Sequence, residues 1–413
     1  MIFRFLIPLI ILAIVDIYTF QLFKTIAKDS APWVQKAINV TFWAIPIAMV
    51  VIFLLVAIQT KLPFSKPIIT YGRAFFFIAY ISKFIIAGML LLTDIVFILP
   101  KVFQYFGGDK PALMNYTRSR FVKNTALVLG ALPFTTLIYG MIRNAYRYTV
   151  ERITVSLDDL PKELEGLKII QISDIHSGSF AFKEPIKRGI DLINKEAADL
   201  VFFTGDLVND KAKEMDGLMD IFDKIESKLG VFSILGNHDY GDYAQWKDHD
   251  EKVQNFENLK TVHKNLGWDL LLNENRILDI NGAQVGIIGV ENWSAAKRFR
   301  TAGDLEKAYK GVENTQVKLL LSHDPSHWDA QVNKEYQDID ITFSGHTHGM
   351  QFGIKIPGII NWSPVKYLYT QWAGLYQKGK QFIYVNRGFG FLGYPGRIGM
   401  LPEITVIELK KKV

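Results

Sequence analysis

Apolar residues gather in four long stretches over the first 145 positions, then fall into short runs separated by amphipathic segments. Residues 2–23 are broken by Arg4, Asp16 and Gln21, residues 40–58 carry no charge, residues 74–100 carry only Lys83 and Asp94, and residues 125–142 are uncharged. Each stretch is close to the roughly 20 residues that cross a hydrocarbon core, so the pattern predicts four transmembrane helices. The first lacks a small-residue cleavage site and is followed by further spans, which reads as a membrane helix rather than a cleaved leader. Charge inside a span is costly and is usually paired within a bundle; for Asp16 and Asp94 snorkelling near a helix end is the equal alternative, and Lys83, which lies deeper, is given no role.

The pattern changes after the polar segment 143–166, where Asp158-Asp159-Leu160-Pro161 makes a break. The reading divides the chain into a transmembrane anchor, 1–148, and a second domain, 149–413. Ile186, Ile190, Ile193 and Ala197 fall on one helical face, as do Met215, Leu218, Met219, Phe222, Ile225 and Leu229, so each group predicts an amphipathic helix. Short apolar runs at 169–172, 198–204, 231–235, 285–290, 317–321, 339–343, 382–385 and 404–409 predict strands. Strand, helix, strand, helix and then mostly strands points to a layered α/β domain rather than a single wound sheet.

Charge follows the same division. Residues 1–150 carry 15 Lys+Arg against 4 Asp+Glu, while the rest of the chain is net acidic, so the overall charge of +6 belongs to the first part. Basic residues flanking apolar spans are what membrane loops show, and they give no reason to expect nucleic acid as a partner. All 8 His lie at or after position 176, which puts the chemistry in the second domain. Without Cys the chain has no disulfide, thiolate nucleophile or sulfur ligand, and this leaves the redox compartment open.

Five of the predicted strands end in metal-ligand chemistry. The run at 169–172 delivers Asp174 and His176, the next Asp206 after Gly205, and the third Asn237, His238 and Asp239 after Gly236. The run at 317–321 delivers His323, and that at 339–343 delivers His346 and His348. Open α/β sheets collect their ligands at the carboxyl ends of strands. Carboxylate, imidazole and amide oxygen without sulfur suit divalent Mn, Fe or Zn. Asp174, His176, Asp206, Asn237, His323, His346 and His348 are too many for one ion, whereas two ions sharing a carboxylate would use them all. Such a pair, roughly 3.5–4 Å apart, polarises a phosphoryl oxygen and generates hydroxide near neutral pH, so no side-chain nucleophile is required.

In this order, Asp-x-His, Gly-Asp, Gly-Asn-His-Asp, a lone His after a strand and Gly-His-Thr-His resemble the calcineurin-like metallophosphoesterase superfamily over about residues 165–410. With its membrane spans the chain looks most like the membrane-anchored bacterial phosphodiesterases related to lipid-directed pyrophosphatases. The resemblance implies a four-layer αββα sandwich after the four-helix bundle. It implies Asp174, His176 and His348 around one metal, Asn237, His323 and His346 around the other, and Asp206 between them. His238 would sit over the phosphate and protonate the leaving oxygen, with Asp239 orienting it.

The leading expectation is therefore a multi-pass membrane protein that hydrolyses a phosphoester or pyrophosphate bond, on a substrate that can be lipid-linked. A non-catalytic signalling or scaffold protein is the alternative, and a transporter-like bundle with an accessory phosphoesterase is a third. Trp293 and Arg387 are candidates for substrate contact, with packing or salt bridging as the plainer reading; His327 reads as structural.

Positive charges divide seven against eight between the two orientations, so the positive-inside rule does not choose. The stretch at 117–123, T-R-S-R-F-V-K, resembles a twin-arginine export signal with Ser119 in place of the second Arg, and it points to an extracytoplasmic catalytic domain, with an ordinary basic loop as the plainer reading. Finally, residues 352–376, with Trp362, Tyr367, Tyr369, Trp372 and Tyr376 beside Ile359, Ile360, Lys355 and Lys366, have the composition of a membrane–water interface that would meet the bilayer surface, as do residues 389–395. Packing against the sheet edge is the competing expectation for these aromatics.

Overall fold

The structure, a computed structural model, describes residues 3–57, 66–106, 120–356 and 358–412. It separates into two compact units, Met1–Tyr139 and Gly140–Val413.

The first unit holds α1 (Phe3–Ala27), α2 (Pro32–Ala57), α3 (Lys66–Tyr105) and most of α4 (Arg120–Ile142). All four are long and apolar enough to cross a membrane. The charges within the spans are paired rather than turned to a helix end. Lys83 Nζ lies 2.6 Å from Asp16, Tyr80 donates to the same carboxylate at 2.8 Å, and Tyr18 donates to Asp94. Residues 117–119 of the export-like stretch, together with Lys61 and Lys110, lie outside the described residues.

In the second unit, two six-stranded sheets stack face to face. In chain order the strands are β1 (Thr149–Leu157), β2 (Lys168–Ile172), β3 (Leu200–Phe203), β4 (Val231–Ser233), β5 (Asp269–Leu270), β6 (Glu274–Ile280) and β7 (Ala283–Gly289). They continue with β8 (Val317–Leu321), β9 (Ile341–Ser344), β10 (Ile354–Ile356), β11 (Ile360–Trp362), β12 (Gly374–Lys378), β13 (Gln381–Val385) and β14 (Glu403–Lys411). One sheet runs β1-β14-β2-β3-β4-β5, the other β12-β13-β9-β8-β7-β6, and β10-β11 is a separate antiparallel hairpin. β2, β3 and β4 are parallel, and so are β7, β8 and β9. Their carboxyl ends therefore open on one edge of each sheet.

Period-two alternation builds the layers. Ile169, Leu200 and Phe202 point between the sheets and meet Ile287, Leu319, Leu321, Ile341 and Phe343. Ile170, Ile172, Val201 and Phe203 point outward and pack against α5 (Lys183–Lys195), α6 (Met219–Phe222) and α7 (His249–Asn265). The outer face of the second sheet packs on Leu305 and Ala308 of α8 (Leu305–Tyr309), with Trp328 and Val332. This is the αββα order of layers.

Three expectations change. Residues 215–229 do not form one helix; a single turn, α6, follows Gly217 and Leu218, whose φ of −125° is non-helical. Glycine is a weak helix former, and it lies where the continuous helix would have to pass. α7 escaped the periodicity reading because its buried side chains include Asn255 and His263 and only one aliphatic, Leu259. The two aromatic stretches divide: Ile354, Ile356, Ile359, Ile360, Tyr367 and Leu368 stay exposed, whereas Trp372, Phe389 and Phe391 are buried. Trp372 is buried in a small cluster with Val365 and Met400, and Phe389 and Phe391 lie in the core beside α5.

Candidate metal centre

All five ligand-bearing strands deliver their residues to one place. Ligand atoms of Asp174, His176 and His348 lie within 4.8 Å of one another, and so do those of Asp206, His323 and His346. The clusters adjoin at Asp206, whose Oδ2 is 3.2 Å from His323 Nε2 and 3.6 Å from His176 Nε2. Asp174 Oδ1 is 3.1 Å from His348 Nε2. Thus six of the seven expected ligands form two groups, and Asn237 joins His176, Asp206, His346 and His348 in the wall of a cavity of about 240 Å³.

The loops achieve this with unusual backbone. Asp174, His176, Asp206, His346 and His348 all have φ between 48° and 71°. Non-glycine residues enter that region at a cost, least for Asp, Asn and His, and such strain concentrates at functional sites. Two glycines of the motifs supply room rather than flexibility. A Cβ on Gly236 would strike the Asp206 carboxylate, and one on Gly345 would strike Asp174 and Ser173.

Hydrogen bonds set which atoms face the centre. His323 Nδ1 lies 2.7 Å from the Thr204 carbonyl, so Nδ1 donates there and Nε2 is turned to Asp206. His346 presents Nδ1 toward His323, at 3.3 Å, while its Nε2 meets the Tyr369 hydroxyl at 2.9 Å. Asn237 gives its amide nitrogen to Tyr243, and its buried Oδ1 has no hydrogen-bond partner among the described residues. The Nε2 atoms of His176 and His348 face each other at 3.0 Å. An orphaned amide oxygen, facing imidazole nitrogens and two buried carboxylates are what divalent cations bind. The residues fit the ions that the motif order implies.

Electrostatics agree. Burial opposes charge on both carboxylates, yet His348 beside Asp174 and His323 beside Asp206 hold each below the ordinary carboxylate range. Burial also pushes His323 down, but Asp206 prevails and raises it to about 10. His176, more dominated by burial, is pushed down to about 3.

His238 lines the cavity and sits edge-on to His176. Its orienting partner is not Asp239. His238 Nδ1 meets the Asn209 carbonyl at 2.8 Å. Asp239 instead accepts from the backbone N–H groups of Asp206, Leu207 and Gly236 at 2.8–2.9 Å, stitching two ligand loops together. A carboxylate three residues past a glycine reaches backbone amides more readily than its neighbour's ring. Burial, reinforced by the charge of Asp206, raises Asp239 to about 7.

Other candidates resolve as packing. Trp293 stacks on His327, 4.4 Å between ring centroids, and His327 is satisfied by Ser322 and Gln331. Arg387 is buried in ion pairs with Glu403 and Glu151. Sequence reasoning missed four contributors. Tyr369 braces His346, Arg298 and Phe299 form part of the cavity wall, and fully buried Arg397 reaches His348 Nδ1 at 3.3 Å. None belongs to a motif; a basic and aromatic content near the last ligands was their only signal.

Comparisons with known proteins bear on this site. Residues 167–350 match the family profile "Calcineurin-like phosphoesterase", and residues 3–145 match "Probable Calcineurin-like phosphoesterase, transmembrane domain". The uncharacterized metallophosphoesterase YkuE of Bacillus subtilis is 30% identical over 305 residues, covering 72% of this chain and 99% of that one. A Danio rerio "transmembrane protein with metallophosphoesterase domain" is 28% identical, covering 66% of this chain and 60% of that one. An uncharacterized metallophosphoesterase of Helicobacter pylori is 30% identical, covering 66% and 67%.

Proposed function

This chain belongs to the calcineurin-like phosphoesterase family, and from that premise we propose that it is a membrane-anchored hydrolase of phosphoester or pyrophosphate bonds in lipid-linked substrates. Two divalent ions, Mn, Fe or Zn, would be held by Asp174, His176 and His348 on one side and by Asn237, His323 and His346 on the other, with Asp206 shared. The observation that carries this reading is the single Asp206 oxygen within 3.6 Å of a histidine from each cluster. When bound, such ions supply Lewis acidity toward phosphoryl oxygens and a water acidic enough to attack phosphorus near neutral pH.

The chain's own residues do the rest. His238, fixed through Nδ1 by the Asn209 carbonyl, keeps Nε2 to hand a proton to the leaving oxygen. Asp239 keeps the Asp206 and Asn237 loops in register. Arg298 brings a positive charge to the cavity wall, suited to an anionic phosphoester. Met350, Val365, Leu368 and Leu392 give the same cavity an apolar side, which supports a substrate with hydrocarbon near its phosphate. The export-like stretch before α4 supports a catalytic unit outside the cytoplasmic membrane.

The test is purification of the wild type and Asp206→Asn, with metal analysis and hydrolysis of a generic phosphomonoester and a generic phosphodiester. The wild type should hold two ions per chain and turn over at least one substrate. Asp206→Asn should lose metal and turnover together. Full turnover with two ions retained in Asp206→Asn would overturn the assignment.

A further inference from the structure

The hairpin of β10 and β11 belongs to neither sheet, and its apolar side chains gather at the surface. Ile354, Ile356, Ile359 and Ile360 are all exposed, and Ile359 is 77% exposed. Tyr367 and Leu368, just beyond the second strand, are 73% and 65% exposed. Contiguous exposed apolar side chains on a folded domain mark an interaction site. Their polar neighbours are Lys355, paired with Glu151, and Lys366, whose ammonium lies 5.3 Å from the centre of the Tyr367 ring. Isoleucine, leucine, tyrosine and lysine together fit the interfacial zone of a bilayer.

The root of the hairpin shows where that bilayer surface is to be found. Phe352 pairs with Ile398, and Gly353 N donates to the Ile398 carbonyl at 2.9 Å. Next to Ile398, Arg397 N donates to the carbonyl of Gly140 at 3.2 Å. Gly140 is the first residue of the second unit and lies in the last turn of α4, whose apolar span runs through it. Within one packed unit, therefore, the end of a membrane-crossing helix is two hydrogen-bonded steps from the base of the exposed hairpin. At the other side, Leu368 and Met350 are exposed and also line the cavity that contains His176, Asp206 and His346.

We propose that the β10–β11 hairpin seats its isoleucines in the interfacial layer of the membrane that the same chain spans, setting the rim of the catalytic cavity at the lipid surface. The docking stands apart from the phosphoesterase reading; the delivery of lipid phosphoesters along Leu368 and Met350 rests on it.

The absence of Cys allows single-site labelling of the full chain. Ile359→Cys, carrying a polarity-sensitive fluorophore, is compared with Ile277→Cys on β6, a residue 45% exposed. Both are reconstituted in phosphatidylethanolamine–phosphatidylglycerol vesicles containing a nitroxide-labelled lipid. The label at 359 should be quenched at least about twofold more than that at 277. Equal quenching overturns the docking, and so does a disulfide between two unlabelled Ile359→Cys chains without lipid quenching, which would make a second copy the occupant. For delivery, Ile356→Ser combined with Ile359→Ser should slow hydrolysis of a vesicle-borne lipid phosphoester about tenfold while a small soluble phosphoester is turned over at the wild-type rate. Equal loss on both substrates, or no loss on either, overturns delivery. If the wild type hydrolyses neither substrate, the phosphoesterase reading fails while the quenching result still decides the docking.

Discussion

The Tyr369 hydroxyl lies 2.9 Å from Nε2 of His346, on the far side of the ring from the nitrogen that faces His323. It holds the imidazole at its back, as groups behind a metal-binding histidine commonly do. Tyr369→Phe should therefore weaken metal binding by about 10–100-fold while leaving the fold intact, since the ring itself is retained. Metal titration of the purified protein checks this. Excess metal should restore most of the lost turnover; a rate loss that no metal concentration repairs would place Tyr369 on the substrate instead.

His238 should behave in the opposite way. It is not in either cluster, and its Nδ1 is committed to the Asn209 carbonyl. His238→Ala should keep its metal content and lose about 10²–10⁴-fold in rate. The loss should be steepest for esters of poorly acidic alcohols, whose leaving oxygen needs the proton. Parallel metal analysis and a leaving-group series separate the two variants.

Acid stability offers a test away from the centre. His263, on the buried face of α7, is bonded to Ser233 through Nδ1, and burial pushes it down to about 3. An unfolded histidine titrates near 6.5. Between those values the unfolded chain carries a proton that the native chain lacks, so stability falls as pH falls through that window. His263→Leu should remove about 1.4 kcal/mol per pH unit from the slope. Unfolding midpoints of the full chain in detergent at pH 7 and pH 5 measure it; an unchanged slope would mean that His263 is protonated in the native state.

Orientation is tested by reporters at the carboxyl terminus. An extracytoplasmic catalytic unit predicts that a fused alkaline phosphatase is active and a fused cytoplasm-only fluorescent protein is dark. Replacing Arg118 and Arg120 by Gln should lower the correctly oriented fraction if the export-like stretch directs it.

The parts legible in the sequence are those whose signal is local. Ile169–Ile170 and Phe202–Phe203 alternate between two cores, so both the strands and their carboxyl-end ligands could be read from neighbouring letters. What escaped depends on distant partners. Arg397 meets His348 from 49 positions away, and Tyr369 meets His346 from 23. Trp372 shares its composition with an interfacial aromatic and is set apart by its burial against Val365 and Met400. Asp239 was read as the neighbour of His238, whereas the fold gives it to the amides of Asp206 and Leu207. Hydropathy names the kind of surface a residue suits, and topology decides which surface it receives.

The left-handed backbone at Asp174, His176, Asp206, His346 and His348 also restricts the alphabet from which this centre can be spelled. Where φ is positive, a short side chain with a polar atom near its own backbone is tolerated, and a β-branched one is not. Glutamate in place of Asp206 would keep the charge but add a methylene to a carboxylate already wedged against Gly236. Exchanges that coordination chemistry regards as equivalent are therefore unequal here, and re-specifying the centre for another cation would have to begin with the loops rather than with the ligands.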